Sequence, residues 1–152
     1  MPSQPSIARD EAGIWRRRAG ELALVCAGSF AADEGARLRD TIALLRAAPS
    51  RVAEGLALPD PVRLEALLGA GAALAGVVDL FAGVPAGYLL SRGASGQHLA
   101  SVILPGRAEE ISAGGESAAL ALLGALALAL AEPAPDLPLP LPRRASPGLR
   151  LN

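Results

Sequence analysis

Residues 114–133 read GGESAALALLGALALALAEP, and this stretch decides how the rest of the chain is interpreted. It contains no charged residue between Ser117 and Ala131. Ser117 can accept a hydrogen bond from the first amides of a helix, and Pro133 ends one. The sequence therefore predicts a helix over about 117–131. Such a helix extends roughly 22 Å, which is too short to cross the roughly 30 Å hydrocarbon core of a bilayer.

The predicted helix has one side of large residues and one of small residues. The large side holds Ala119, Leu122, Leu123, Leu126 and Leu130, and the small side holds Ala129 together with five further residues, Ala118, Ala121, Gly124, Ala125 and Leu128. A helix that is apolar all round is expected to be buried all round. We expect the large side to cover β-strands and the small side to contact another helix or a second subunit. The five further residues of the small side are therefore a candidate interface.

Three segments upstream have helical periodicity. In the second of them, Leu38, Ile42 and Leu45 repeat at the spacing of one helix face. The third begins at Asp60-Pro61, a capping acid followed by a proline suited to the first helical position. The predicted helices cover about 10–27, 34–48 and 61–82. The glycines at 69, 71 and 76 favour either close approach by a neighbour or a break into two shorter helices.

The character of the chain changes after residue 87. YLLSR (88–92) and HLASVIL (98–104) flank the turn sequence GASGQ, which predicts a β-hairpin. RAEEIS (107–112) predicts a short third strand at a sheet edge, because its charges discourage further pairing. The expected fold class is α+β: N-terminal helices followed by a β-hairpin or a small three-stranded antiparallel sheet, packed by the Ala/Leu-rich C-terminal helix.

The chain is long enough for one domain. We expect a disordered lead over 1–9, a single compact domain over 10–132, and a Pro-rich disordered tail over 133–152. All fourteen basic residues are Arg, which indicates a GC-rich bacterial genome. No secretory leader is recognisable, so we expect a cytoplasmic protein.

Composition excludes several kinds of chemistry. Without Lys there is no Schiff-base or phosphate-loop amine, and a net charge of −1 gives no long-range attraction to nucleic acid. One His and one Cys are too few for a structural zinc site, so we expect no metal and no cofactor. Cys26 lies in the apolar run ELALVCAG and is expected to be a buried, unreactive hydrophobe.

Three local patterns are candidate sites. Ser95 and His98 could form a nucleophile and base, but GASGQH lacks the G-x-S-x-G spacing and is typical of a hairpin turn. Glu109 and Glu110 would point to opposite faces of a strand. GAGAALAG (69–76) has the glycines of a dinucleotide loop but follows a predicted helix where that loop needs a strand. We therefore predict no catalytic or cofactor-binding residues.

The order of segments from residue 60 to residue 131 resembles a double-stranded-RNA-binding domain. It is carried by the helix DPVRLEALL, Pro85, Tyr88, SGQH, Val102 and a helix opened by Ser117. The resemblance implies an α-β-β-β-α order. It also implies RNA contact by basic residues directly after Ser117, where this chain has two alanines.

Three classes of function are considered. The first is a non-enzymatic interaction or assembly module that uses apolar helix surface to contact a protein partner or a second copy of itself. The alternative is a degenerate double-stranded-RNA-binding-like module with weak or no RNA binding. A small enzyme with an unrecognised site is the further alternative, because one sequence does not reveal which acids and serines converge.

Overall fold

The computed structural model describes residues 5–49, 56–82 and 86–133. Its helices are α1 (Pro5–Ala27), α2 (Glu34–Arg46), α3 (Pro61–Gly69), α4 (Ala73–Asp79) and α5 (Ala118–Ala131), with a short 3-10 turn at Ala31–Asp33 before α2. Its strands are β1 (Gly87–Arg92), β2 (His98–Ile103) and β3 (Ile111–Gly115). The predicted α+β class, with N-terminal helices, a three-stranded antiparallel sheet and a C-terminal helix packed on it, is confirmed.

Helix α5 lies at the centre of the fold. Eleven of its fourteen residues are buried, and α1, α2, α4 and all three strands contact it. A Cβ added to Gly124 would lie 3.5 Å from Cβ of Ala113 on β3 and 3.7 Å from Cβ of Cys26 on α1. Near the other end of α5, Ala131 lies beside Gly20. Helices α1 and α5 therefore run antiparallel and close together, through small residues.

These contacts revise which side of α5 meets the sheet. The large side was predicted to cover the strands, yet Gly124 belongs to the small side and contacts β3 as well as α1. Because alanine and glycine lack long side chains, backbones on both neighbours can approach this side of the helix. The small side thus meets the sheet at least in part, and also meets the helix that was predicted for it.

The sheet is an antiparallel meander in the order β1-β2-β3. Ala100 at the centre of β2 pairs with Leu90 on β1 and Ala113 on β3, and Val102 pairs with Tyr88 and Ile111. Ala100 and Val102 are buried. Since side chains alternate along a strand, these pairs define the inner face that packs on α5. The other set of side chains forms the opposite face.

Helix α1 begins five residues earlier than predicted. It starts at Pro5 rather than at about residue 10, so residues 5–9 of the predicted disordered lead are helical. Proline is accepted in the first turn of a helix because its missing N–H has no partner there. The sequence IARD that follows contains no helix-breaking residue, so α1 continues from Pro5 without interruption.

The helix predicted over 61–82 is broken into α3 and α4, as the alternative reading of its glycines allowed. Gly71, between the two helices, has a φ of +69°, a left-handed conformation that glycine adopts without steric cost. Gly76 remains helical, and a Cβ there would come within 2.7 Å of Leu38 on α2. Both explanations offered for this glycine-rich segment therefore apply, at different positions.

The third strand lies four residues later than predicted. It covers Ile111–Gly115 instead of 107–112, although its edge position was predicted correctly. Arg107 belongs to a turn, in which its amide donates to the Leu104 carbonyl. Its guanidinium donates to the Ala129 carbonyl at 2.7 Å, near the negative end of α5. The predicted tail lies outside the described residues, apart from Pro133.

Candidate interaction surfaces

The candidate interface predicted from the sequence lies mostly inside the protein. Ala121, Gly124 and Ala125 are fully buried by the chain itself, while Ala118 and Leu128 keep partial exposure. A partner would reach the three buried residues only if a packed element moved away. Contact with a partner at these five residues stays a prediction, and the exposed apolar surface of the protein lies elsewhere.

The face of the sheet opposite α5 exposes three large apolar side chains. Leu89, Leu99 and Ile103 are 63%, 45% and 40% exposed. Leu89 pairs with Ser101, and Leu99 and Ile103 flank that serine on the same face of β2. Beside them, the hydroxyls of Ser101 and Ser112 share a 2.7 Å hydrogen bond. We call the surface formed by these five residues the outer sheet face.

The outer sheet face was not predicted from the sequence, although the alternation of residues along β2 indicates it. Strand β2 alternates Leu99, Ser101 and Ile103 with Ala100 and Val102, so the larger aliphatic side chains stand on the exposed side. Hydrophobicity alone gives both sides of such a strand the same weight. A preference for small residues beneath a closely packed helix would have pointed to the alanine side as the inner one.

A second apolar surface follows the line between α1 and α2. Trp15 anchors the two helices, because its indole N–H donates to the Leu44 carbonyl at 2.8 Å. A shallow groove of about 300 Å³ runs beside it. Its lining comprises Arg18, Leu22, Val25, Arg37, Asp40, Ala43, Leu44 and Ala47. Two of these lining residues, Arg37 and Asp40 on α2, form an ion pair of 3.2 Å.

Cys26 is a buried thiol, as predicted. Burial raises its pKa to about 11, a rise that Arg37 partly offsets and Asp40 reinforces. A thiol with that pKa carries almost no thiolate at neutral pH, and thiolate is the reactive form. Cys26 therefore serves as a small apolar residue of α1 that packs against Gly124 on α5.

Two ion pairs join helices to one another. Arg39 on α2 donates to Glu65 on α3 at 2.8 Å, and Arg63 on α3 donates to Asp79 on α4 at 2.7 Å. The hydrogen bond from Arg39 lowers the pKa of the Glu65 carboxyl. An exposed carboxylate already paired with a guanidinium is a weak base, so this pair is better suited to holding α2 and α3 together than to proton transfer.

The local patterns weighed in the sequence remain separate in the structure. Ser95 lies in the hairpin turn and His98 begins β2, where it pairs with Arg92. Glu109 and Glu110 lie in the exposed loop before β3, not on the predicted strand. The glycine-rich segment 69–76 joins α3 to α4, so no strand precedes it. Within the described ranges, no group of three or more His, Cys, Asp or Glu side chains is placed to hold a metal ion.

The start of α5 has an acid before it and two alanines at the positions where a phosphate-binding helix would have bases. The Ser117 hydroxyl accepts a hydrogen bond from the Leu120 amide, as predicted for a cap. The Glu116 carboxylate accepts from the Ala31 amide at 2.6 Å, which ties the end of β3 to the turn before α2. A carboxylate beside the helix start repels phosphate.

Comparisons with protein-family models, with curated proteins and with solved structures found no match. In the described part of the chain, no helix combines the length and the apolar character needed to cross a membrane.

Proposed function

We propose that this protein is a non-enzymatic interaction or assembly module that contacts a protein partner through the outer sheet face. The observation that carries the proposal is the exposure of Leu89, Leu99 and Ile103 together on one side of the sheet. Contiguous exposed apolar residues on a folded domain are typical of binding surfaces. The sequence hypothesis of an interaction module is kept, and the surface proposed for it moves from α5 to the sheet.

The geometry of the face supports protein contact over small-molecule binding. Its three apolar residues stand on a regular antiparallel ladder, with two hydrogen-bonded serines beside them. The exposed face of an antiparallel ladder does not by itself enclose a ligand, whereas small-molecule sites are concave. Flat apolar patches with a polar border are typical of the centre of protein–protein interfaces.

We place this function in the bacterial cytoplasm, as composition indicates. The Arg-only basic set suggests a GC-rich genome, and a single buried Cys suits a reducing compartment. No observation on the described residues favours the duplex-RNA alternative, because Ala118 and Ala119 stand where the resemblance requires bases and Glu116 adds an acid just before them. It is therefore not advanced as a second function.

Cross-linked capture at native expression tests the proposed surface. The double variant Leu89→Ser with Leu99→Ser replaces two exposed apolar side chains by residues that suit a solvent-facing strand, and the fold is expected to survive. We expect the partners cross-linked to the wild-type protein to fall at least about tenfold with the variant, because truncation removes contacts at the centre of the interface.

Leu24→Ser is the matched control for this capture. Leu24 is 74% exposed on α1, away from the sheet, so its substitution makes the same chemical change on another surface. Partner recovery should be unchanged with this control. Equal recovery with all three proteins, or no specific partner with any of them, would contradict the proposed function.

A further inference from the structure

Strand β1 leaves one edge of the sheet open. It is the first strand in the order β1-β2-β3, and its pairing among the described residues is with β2. Proteins usually blunt such an edge with charges, prolines or bulges. Gly87–Arg92 contains no proline, and its one charge is at the last residue. The edge is therefore competent to pair with another strand.

The hairpin register shows which peptide groups face this edge. The Gly93 amide donates to the Gln97 carbonyl at 2.8 Å, which makes these residues a hydrogen-bonded pair. Hydrogen-bonded and non-hydrogen-bonded pairs alternate along an antiparallel ladder. With the observed register, Leu89 and Ser91 bond to β2. The peptide groups of Tyr88, Leu90 and Arg92 consequently point toward the open edge.

We propose that a second copy of this chain pairs with β1 through its own β1, antiparallel, with Leu90 on the two-fold axis. The inference rests on the proposed function, because it takes the chain to be an interaction module. It names a second copy of the chain as the partner. Two copies related by a two-fold axis perpendicular to the sheet present the same edge to each other. About six backbone hydrogen bonds would then join Tyr88, Leu90 and Arg92 to the same residues of the partner.

The side chains of β1 are compatible with those of a second copy in this register. Tyr88 lies opposite the partner's Arg92, so each guanidinium meets an aromatic ring. The two arginines lie at opposite ends of the paired strands and do not repel each other. Leu90 meets its own copy on the inner face, and Leu89 lies opposite the partner's Ser91 on the outer one. The outer sheet faces of the two copies join into one surface.

The opposite edge of the sheet is less suited to this pairing. Helix α1 contacts β3, and Glu116 just after β3 is bonded to the Ala31 amide. β3 is also short and ends in two glycines, which gives few side chains to hold a partner strand. These differences single out β1 as the edge for the second copy.

Light scattering on the purified full chain tests the pairing. We expect concentrated wild-type protein to have about twice the 15.3 kDa chain mass and to return toward the single-chain mass on dilution. Tyr88→Arg places an arginine opposite the partner's Arg92 and is expected to give the single-chain mass at all concentrations. Val62→Arg, which adds the same charge at an exposed apolar position on α3, is expected to keep the doubled mass.

A compensating variant tests the register itself. Adding Arg92→Glu to Tyr88→Arg places opposite charges across the axis, and we expect the doubled mass to return. Residues 88 and 92 are too far apart along one extended strand to pair within a chain, so recovery would have to be intermolecular. Circular dichroism of each variant checks that the strand is still folded.

Amide hydrogen exchange on the wild-type chain provides a readout that needs no variant. The amides of Tyr88 and Leu90 should exchange more slowly in concentrated than in dilute protein, while that of Leu89 should not change. A single-chain mass at every concentration, no recovery in the double variant, or a doubled mass without this protection would overturn the proposal. A monomer that still loses its captured partner with the Leu89/Leu99 variant would leave the proposed function intact.

Discussion

Cys26 shows how burial decides the chemistry of a single side chain in this protein. It lies on α1 against Gly124 of α5, and removal from solvent raises its pKa to about 11. The sequence predicted this role from ELALVCAG, because a lone cysteine in an apolar helix is usually a small hydrophobe. The neighbours that fill the space around it were not predictable, since Arg37 and Asp40 come from another helix.

The raised pKa of Cys26 makes stability depend on pH in alkaline solution. An unfolded chain ionises this thiol near pH 9.0, while the folded chain holds it neutral up to about pH 11. Folded stability is therefore complete below pH 9 and falls as the pH rises toward 11, by up to about 3 kcal/mol. Urea unfolding at pH values across this window measures the fall.

Cys26→Ala is the control for this titration, because it removes the ionisable group and keeps a small apolar side chain. The variant should lose less stability between pH 9 and pH 11 than the wild-type chain does. Equal losses in the two proteins would show that the thiol is not held neutral by folding.

The helices and strands differ in how well their ends can be predicted from the residues nearby in the sequence. Helix α5 was predicted to within one residue at its start, because Ser117 and Pro133 mark its ends in the chain itself. Strand β3 was misplaced because ISAGG has weak strand propensity and its position depends on tertiary contacts. The loop before it carries the charges that suggested an edge strand, while Arg107 is drawn to the end of α5.

Gly115 illustrates the contact that places β3. A Cβ added there would lie 2.6 Å from the Ala121 backbone nitrogen, and backbone cannot rotate away as a side chain can. We expect Gly115→Ala to destabilise the fold by about 1–3 kcal/mol, the usual cost of forcing an extra methyl group into a packed site. Thermal unfolding of the variant and the wild-type chain measures this cost.

Gly13→Ala is the matched control for that substitution. Nothing lies within 4 Å of the added Cβ, and Gly13 is inside α1. Alanine stabilises an exposed helix interior by up to about 1 kcal/mol relative to glycine. Opposite signs are therefore expected from the same chemical change at the two sites. Equal unfolding temperatures for both variants would contradict the close approach of β3 to α5.

The assembled fold explains why the surface proposed for binding could not be located from sequence. α5 is apolar on both sides because this chain covers both: the sheet and α1 meet the small side, and neighbouring elements enclose the remainder. The sequence correctly predicted that both sides are mostly buried but did not specify which neighbours bury them. The exposed apolar residues proposed for binding are instead on β1 and β2, and the two faces of β2 have similar hydrophobicity.

The measurement that tests this account most directly compares Ala125→Glu with Ala118→Glu by circular dichroism and thermal unfolding. Ala125 is fully buried, so a carboxylate there should destabilise the fold by more than about 3 kcal/mol. Ala118 is partly exposed in the first turn of α5, where an acid suits the helix dipole, and its variant should unfold close to the wild-type temperature. A folded Ala125→Glu chain of unchanged stability would show that the small side of α5 is open surface, and would contradict the account.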